Sequence, residues 1–112
     1  MEIIKDKISR QELKDMAAKM FGDLVKAVVD IDRGVMALDG ELHSDEEALL
    51  LEDGSQQNNL WGINLYPEFN GIDWIEFDSM INLRPGQGNR SRGVDNVDIR
   101  GKIIKIVNKL VI

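Results

Sequence analysis

Residues 25–38 read VKAVVDIDRGVMAL. Two short runs rich in β-branched and small apolar residues flank Asp32-Arg33-Gly34, and that pattern predicts a hairpin of two antiparallel strands. Alternation places Val25, Ala27, Val29 and Ile31 on a core face and Leu24, Lys26, Val28 and Asp30 on a mixed opposite face. A sheet with one apolar face must be covered by another layer, so the flanking sequence decides the architecture.

Upstream, Ser9-Arg10-Gln11-Glu12 fits a capping box, in which the serine oxygen accepts from an orphan backbone N–H and the glutamate reaches back to the cap. Leu13, Met16, Ala17, Met20 and Phe21 follow at the spacing of one helical face, with both methionines read as core, and Gly22 supplies a left-handed stop. Downstream, Ser44-Asp45-Glu46-Glu47 is a second capping box, with acids where they complement the helix dipole. It predicts a short helix to about Glu52, although three consecutive leucines also admit a strand from Ala48 to Glu52. Leu60–Tyr66 and Ile72–Leu83 read as strands separated by Pro67–Gly71, with a bulge or bend at Asp78-Ser79. Val97, Ile103, Ile106, Val107 and Leu110 recur at helical spacing behind Asp95 as N-cap, predicting a helix over 96–111; a strand over 102–107 is the alternative. The order is α-β-β-α-β-β-α: one α+β domain spanning residues 1–112, with a mostly antiparallel sheet of about four strands and N-terminal, middle and C-terminal helices.

Composition narrows the function. The 112 residues include no cysteine, which excludes disulfides, thiolate metal sites, iron–sulfur clusters and a cysteine nucleophile. No apolar run reaches the length of a membrane span, and MEIIKDKISR mixes charges where a secretory signal would be apolar, so a soluble cytoplasmic protein without membrane attachment is expected. Charge is segregated: residues 39–79 hold 11 acids and no Lys or Arg, whereas residues 80–112 hold 7 bases and 2 acids. The two regions either pair within the fold, pair between identical subunits, or face separate partners.

With these elements in place, GELHSDEEALLLEDGS (40–55), LWGINLYPE (60–68) and SMINLRPGQGNRSRGV (79–94), preceded by VKAVVDI (25–31), resemble the signature blocks of a family of small prokaryotic proteins known only as a domain of unknown function. The resemblance runs from about residue 9 to the end. It implies no reaction, cofactor or partner and assigns no residue a role.

Two stretches carry chemistry of their own. In the loop RPGQGNRSRG (84–93), Arg84, Asn89, Arg90 and Arg92 sit among glycines before the last helix, a composition that suits an anion held by backbone N–H groups and guanidinium forks. The loop is neither a P-loop nor a dinucleotide fingerprint. Its bracing role is the alternative: the arginines bridge to the acidic third and Asn89 satisfies loop backbone. In the acidic block, His43 with Asp45 and Glu47 forms a ligand set for Mn²⁺ or Mg²⁺, and the histidine could serve as a general base; Asp45 to Glu47 as dipole-favoured acids beside a packed His43 is the competing account. Glu76 and Asp78 share one strand face and would need a counter-charge, a metal or solvent.

Trp61, Trp74, Tyr66, Phe69 and Phe77 lie in the acidic third, which argues for core packing over base stacking and makes nucleic acid an unfavoured partner. Asn58, Asn59 and Asn64 around Trp61-Gly62 could hydrogen-bond a small ligand but need none. The leading expectation is a binding domain for a small anionic ligand or a protein partner, using loop 84–93 and block 43–47. The rival is a metal-dependent phosphoester hydrolase in which His43, Asp45 and Glu47 hold the cation and Arg84 and Arg90 stabilise transition-state charge, which demands that both blocks meet in space.

Overall fold

The computed structural model describes residues 1–112 as one α+β domain. In chain order its elements are β1 (Glu2–Ile4), α1 (Arg10–Lys19), β2 (Val25–Asp30), β3 (Val35–Leu38), α2 (His43–Glu52), β4 (Leu60–Leu65), β5 (Ile75–Glu76) and α3 (Val97–Leu110). The strands form one antiparallel sheet in the order β1-β3-β2-β4-β5. The hairpin is the centre of it: β2 pairs with β3 through Val29↔Met36 and with β4 through Val29↔Trp61.

Helix α1 starts as the capping box requires, with Ser9 Oγ accepting from Glu12 N at 3.1 Å. The carboxylate of Glu12 meets the serine hydroxyl, which donates to it at 3.2 Å. Leu13 and Ala17 are buried, whereas Met20 and Phe21, read as part of that face, lie past the helix end and are exposed, because the chain has already turned toward Gly22. Helices α1 and α3 cover one sheet face, packing Leu13, Ala17, Ile103, Val107 and Leu110 with Val25, Ala27, Val29, Met36 and Trp61. The two chain ends are tied together there, with Ile8 N donating to Leu110 O at 2.8 Å and Ile112 N to Ile8 O at 2.9 Å.

The opposite face is not a solvated one. Helix α2 lies over it and buries Leu50 against Val28, Val35, Ala37 and Leu60, so β2 and β3 are covered on both sides. Asp30, on this face, is fully buried and works as a turn fastener: Oδ1 accepts from Asp32 N and Arg33 N, and Oδ2 from Ser55 Oγ at 2.6 Å. Arg33 completes the link to the end of α2 through Ser55 and Asp53.

Four features differ from the sequence reading. The first strand, β1, precedes the capping box and has only three residues, too few for alternation to register. Helix α2 begins two residues early: Leu42 is its N-cap, and His43 and Ser44 are its first residues, not the flank and cap expected. Most of Ile72–Leu83 is not strand. Gly71–Asp73 and Met80–Asn82 are 3-10 turns, β5 is two residues long, and the chain leaves the sheet at Asp78. Its pairing is replaced by a side chain, since fully buried Asn82 accepts from Gly62 N at 2.8 Å and donates to Gly62 O at 2.9 Å. Finally, the cap of α3 is Asn96, whose Oδ1 accepts from Asp98 N and Ile99 N, one residue after the Asp95 expected. No helix of the structure is long and apolar enough to cross a membrane.

Candidate functional site

The departure of the chain from β4 at Asp78 opens a cleft of about 360 Å³ between the start of α2, the start of β2 and the segment 78–81. Its polar lining is Lys26, His43, Ser44, Asn64, Asp78, Ser79 and Arg92. Phe21, Leu24, Leu42, Met80 and Ile81 give it apolar walls. That mixture of an apolar surface with a few converging polar groups is what a small-molecule site needs.

His43 is the hinge of the arrangement. Placed on the first turn of α2, it is buried and its Nε2 lies 2.7 Å from the carbonyl oxygen of Ile63 on β4. A carbonyl only accepts, so Nε2 carries the proton and the neutral ring leaves Nδ1 without one. Burial pushes the imidazole below its ordinary 6.5, against the raising effect of the Ile63 carbonyl, and keeps it neutral at neutral pH. The cleft's positive charge therefore comes from Lys26 and Arg92. Lys26, the one basic residue of β2, sits opposite Asn64 in the β2–β4 register and holds its ammonium 5.3 Å from the Phe21 ring. Arg92 reaches in from the glycine-rich loop and donates from Nε to Asp78 Oδ1 at 2.7 Å, leaving the rest of its fork free of any other side-chain partner.

The remaining loop residues serve the loop. Arg84 donates from Nε to Ile81 O, from Nη1 to Gln57 O and from Nη2 to Leu60 O, and its guanidinium lies over the Trp61 ring. It ties three irregular stretches to β4 and lines no cleft with His43. Buried Asn89 donates from Nδ2 to Asn82 O, Ser91 O and Gly93 O, while its Oδ1 accepts from Asp95 N. Asp95, its pKa held down by hydrogen bonds from Ser91 and Arg90 N, closes the same loop. Arg90 is exposed on the loop surface. Of the four anion-binding candidates, only Arg92 enters the cleft.

The acidic block also disperses. Successive positions on α2 point about a hundred degrees apart, so His43 faces the sheet, Asp45 faces solvent, and Glu47 turns toward Arg84, whose charge opposes the rise that burial imposes on the carboxyl. No three His, Asp or Glu side chains of the chain form a group that could hold a metal ion. Sequence reasoning overlooked Lys26 and Ser79 as neighbours of His43. A usable signal was there: Lys26 is a lone base among the apolar residues 24–29, and Asn64 is the polar residue of a strand buried at every position.

The two charge regions meet at Asp78–Arg92, which joins the acidic middle to the basic end within one chain. Glu47 and Arg84 add a second, longer-range attraction.

Residues 2–110 match the family model described as "Protein of unknown function (DUF5674)". No curated protein and no solved structure matches the chain.

Proposed function

We infer the function from the cleft itself, because the chain belongs to DUF5674, a family whose description assigns no activity: the protein is a binding domain for a small anionic ligand. The anion sits between Lys26 and Arg92 at the start of α2. The observation that carries this reading is the convergence of two cations from distant parts of the chain on the uncapped N-terminus of a ten-residue helix, inside one concave site. Leu42 at the cap position has no side-chain acceptor, so the first amides of α2 are left to solvent or a ligand. Amides and dipole at such a terminus favour negative charge. His43, fixed by Ile63, gives the site a rigid wall.

The reading is tested by titrating the full chain with inorganic phosphate at low ionic strength and following the unfolding midpoint or the heat of binding. Arg92→Ala and Lys26→Ala are each expected to weaken phosphate about five- to tenfold, a size typical of one charge-assisted contact. Arg90→Ala, outside the cleft, should leave binding unchanged. Arg92 is more than half exposed, so its removal should shift stability by less than about 1 kcal/mol. Equal binding by all three variants would overturn the assignment. The metal-dependent hydrolase has no such support: it would need Asp45 and Glu47 to turn toward His43, and Arg84 to give up the backbone carbonyls it holds.

A further inference from the structure

The rim of the cleft carries apolar side chains that the fold itself does not use. Phe21 is 41 % exposed, Leu42 55 % and Met80 63 %, and with half-buried Leu24 they line the cleft. None of the four belongs to the buried core on either face of the sheet. Apolar side chains scattered singly over a surface need no explanation, whereas several gathered at one concave site mark a place that receives another apolar group. Leu42 is the most telling of them. It holds the N-cap position of α2, where a serine, threonine, asparagine or aspartate would satisfy an orphan amide and a leucine satisfies none. The position forgoes a cap without gaining a place in the core, which makes sense where a ligand brings both the acceptor and an apolar surface.

The charge of the lining narrows the acidic group. Lys26 and Arg92 stand against Asp78, and the buried imidazole of His43 is neutral, so the lining carries one net positive charge. A monoanion balances that charge, whereas a phosphate dianion overshoots it beside Asp78. We propose that the cleft takes a small carboxylate with a hydrocarbon body: the carboxylate lies between Arg92, Lys26 and the first amides of α2, and the body packs on Phe21, Leu24, Leu42 and Met80. This rests on the anion-binding reading and specifies the ligand class that reading leaves open. The Phe21 ring, with the Lys26 ammonium 5.3 Å from its centre, borders both halves of such a ligand. At about 360 Å³ the cleft is near the lower end of ligand sites, which suits a body of a few carbons better than a long acyl chain.

The test follows the unfolding midpoint of the full chain in titrations with acetate, hexanoate and hexan-1-ol at constant ionic strength. Hexanoate should bind about tenfold or more tightly than acetate, since each added methylene taken out of water strengthens binding. Hexan-1-ol, which has the body without the charge, should bind about tenfold more weakly than hexanoate. Arg92→Ala should weaken both acids in parallel and preserve their ratio. The double variant Leu42→Ala with Met80→Ala, which changes only exposed side chains outside the core, should bring the hexanoate-to-acetate ratio down to about threefold or less. Equal affinities for the two acids, both reduced by Arg92→Ala, would overturn the hydrocarbon body and leave anion binding standing. A ratio that the double variant leaves unchanged would overturn the placement of the body, and hexan-1-ol binding as tightly as hexanoate would overturn the role of the carboxylate. A dimer that forms with rising protein concentration and is lost in the double variant would give the rim to a second copy of the chain and overturn the proposal. Failure of both acids and of phosphate to bind would overturn it together with the anion-binding reading.

Discussion

Gly62→Ala is expected to destabilise the fold by about 3 kcal/mol, at the upper end of overpacking in a fixed core. For a domain of this length that lowers the unfolding midpoint by about 10 °C. Gly62 is on β4, in the buried layer under the segment that leaves the sheet. A Cβ built there would lie 2.5 Å from Ser79 Cβ and 2.6 Å from Ser79 Oγ, with Ile81 Cγ1 at 3.2 Å. Ser79 has little room to retreat: it is 2 % exposed, its N donates to Arg92 O at 2.9 Å, and its O accepts from Asn82 N at 3.1 Å. Pushing the segment outward also strains the two bonds by which Asn82 replaces a strand partner for Gly62, and a buried donor or acceptor that loses its partner costs about 1–3 kcal/mol. Urea unfolding of Gly62→Ala measures the loss, and Ser79→Gly in the same chain should recover part of it by making room for the new methyl. A change below about 1 kcal/mol, or no rescue by Ser79→Gly, would mean that the 78–82 segment is not held on β4 as the geometry indicates. Because Ser79, Met80 and Ile81 form one wall of the cleft, ligand affinity should fall with stability in Gly62→Ala and return with it in the double variant.

The same segment shows where the sequence stops being legible. Local rules succeed where one stretch satisfies itself: Ser9 caps its own helix, and the 25–38 hairpin follows from alternation and a glycine-bearing turn. They fail where a distant partner decides. Ser44 offers a cap worth about 1 kcal/mol, yet the helix starts earlier, with His43 bonded to a sheet carbonyl that no local pattern announces. Ile72–Leu83 has strand composition, but the close approach at Gly62 and the pseudo-pairing by Asn82 turn it out of the sheet. The arginine loop is the instructive case for function. Glycines and guanidinium groups read equally well as an anion cradle or as braces for irregular backbone, since both uses draw on the same donors. Arg84 and Asn89 are braces because segments outside regular structure leave carbonyls to satisfy, and only Arg92, directed at Asp78, reaches the cleft.

Glu46→Gln should change the pH dependence of stability more than any other single substitution. Glu46, on α2 three residues beyond His43, is fully buried; its Oε2 accepts from Gly40 N at 2.9 Å and its Oε1 has no partner. Burial pushes its carboxyl from 4.5 up to about 9, with Asp39 adding to the rise and the Gly40 amide and Lys26 opposing it. The folded protein then keeps a proton that the unfolded chain releases. Stability from this group is complete below the unfolded value of 4.5 and is lost progressively as pH rises to about 9. Glutamine keeps the shape and an acceptor for Gly40 and cannot ionise. At pH 4 the variant should match the parent, whereas at pH 7 it should be more stable by on the order of 3 kcal/mol, with a larger difference at pH 8.5. Urea unfolding at those three pH values checks the slope. A slope unchanged by the substitution would mean that Glu46 is ionised in the fold and paired with Lys26. The distinction matters for the cleft, because a carboxylate at this position would attract the Lys26 ammonium that the proposed ligand requires. Protonated Glu46 leaves that charge available, so anion affinity in the parent should fall as pH rises toward 9, and in Glu46→Gln it should hold over the same interval.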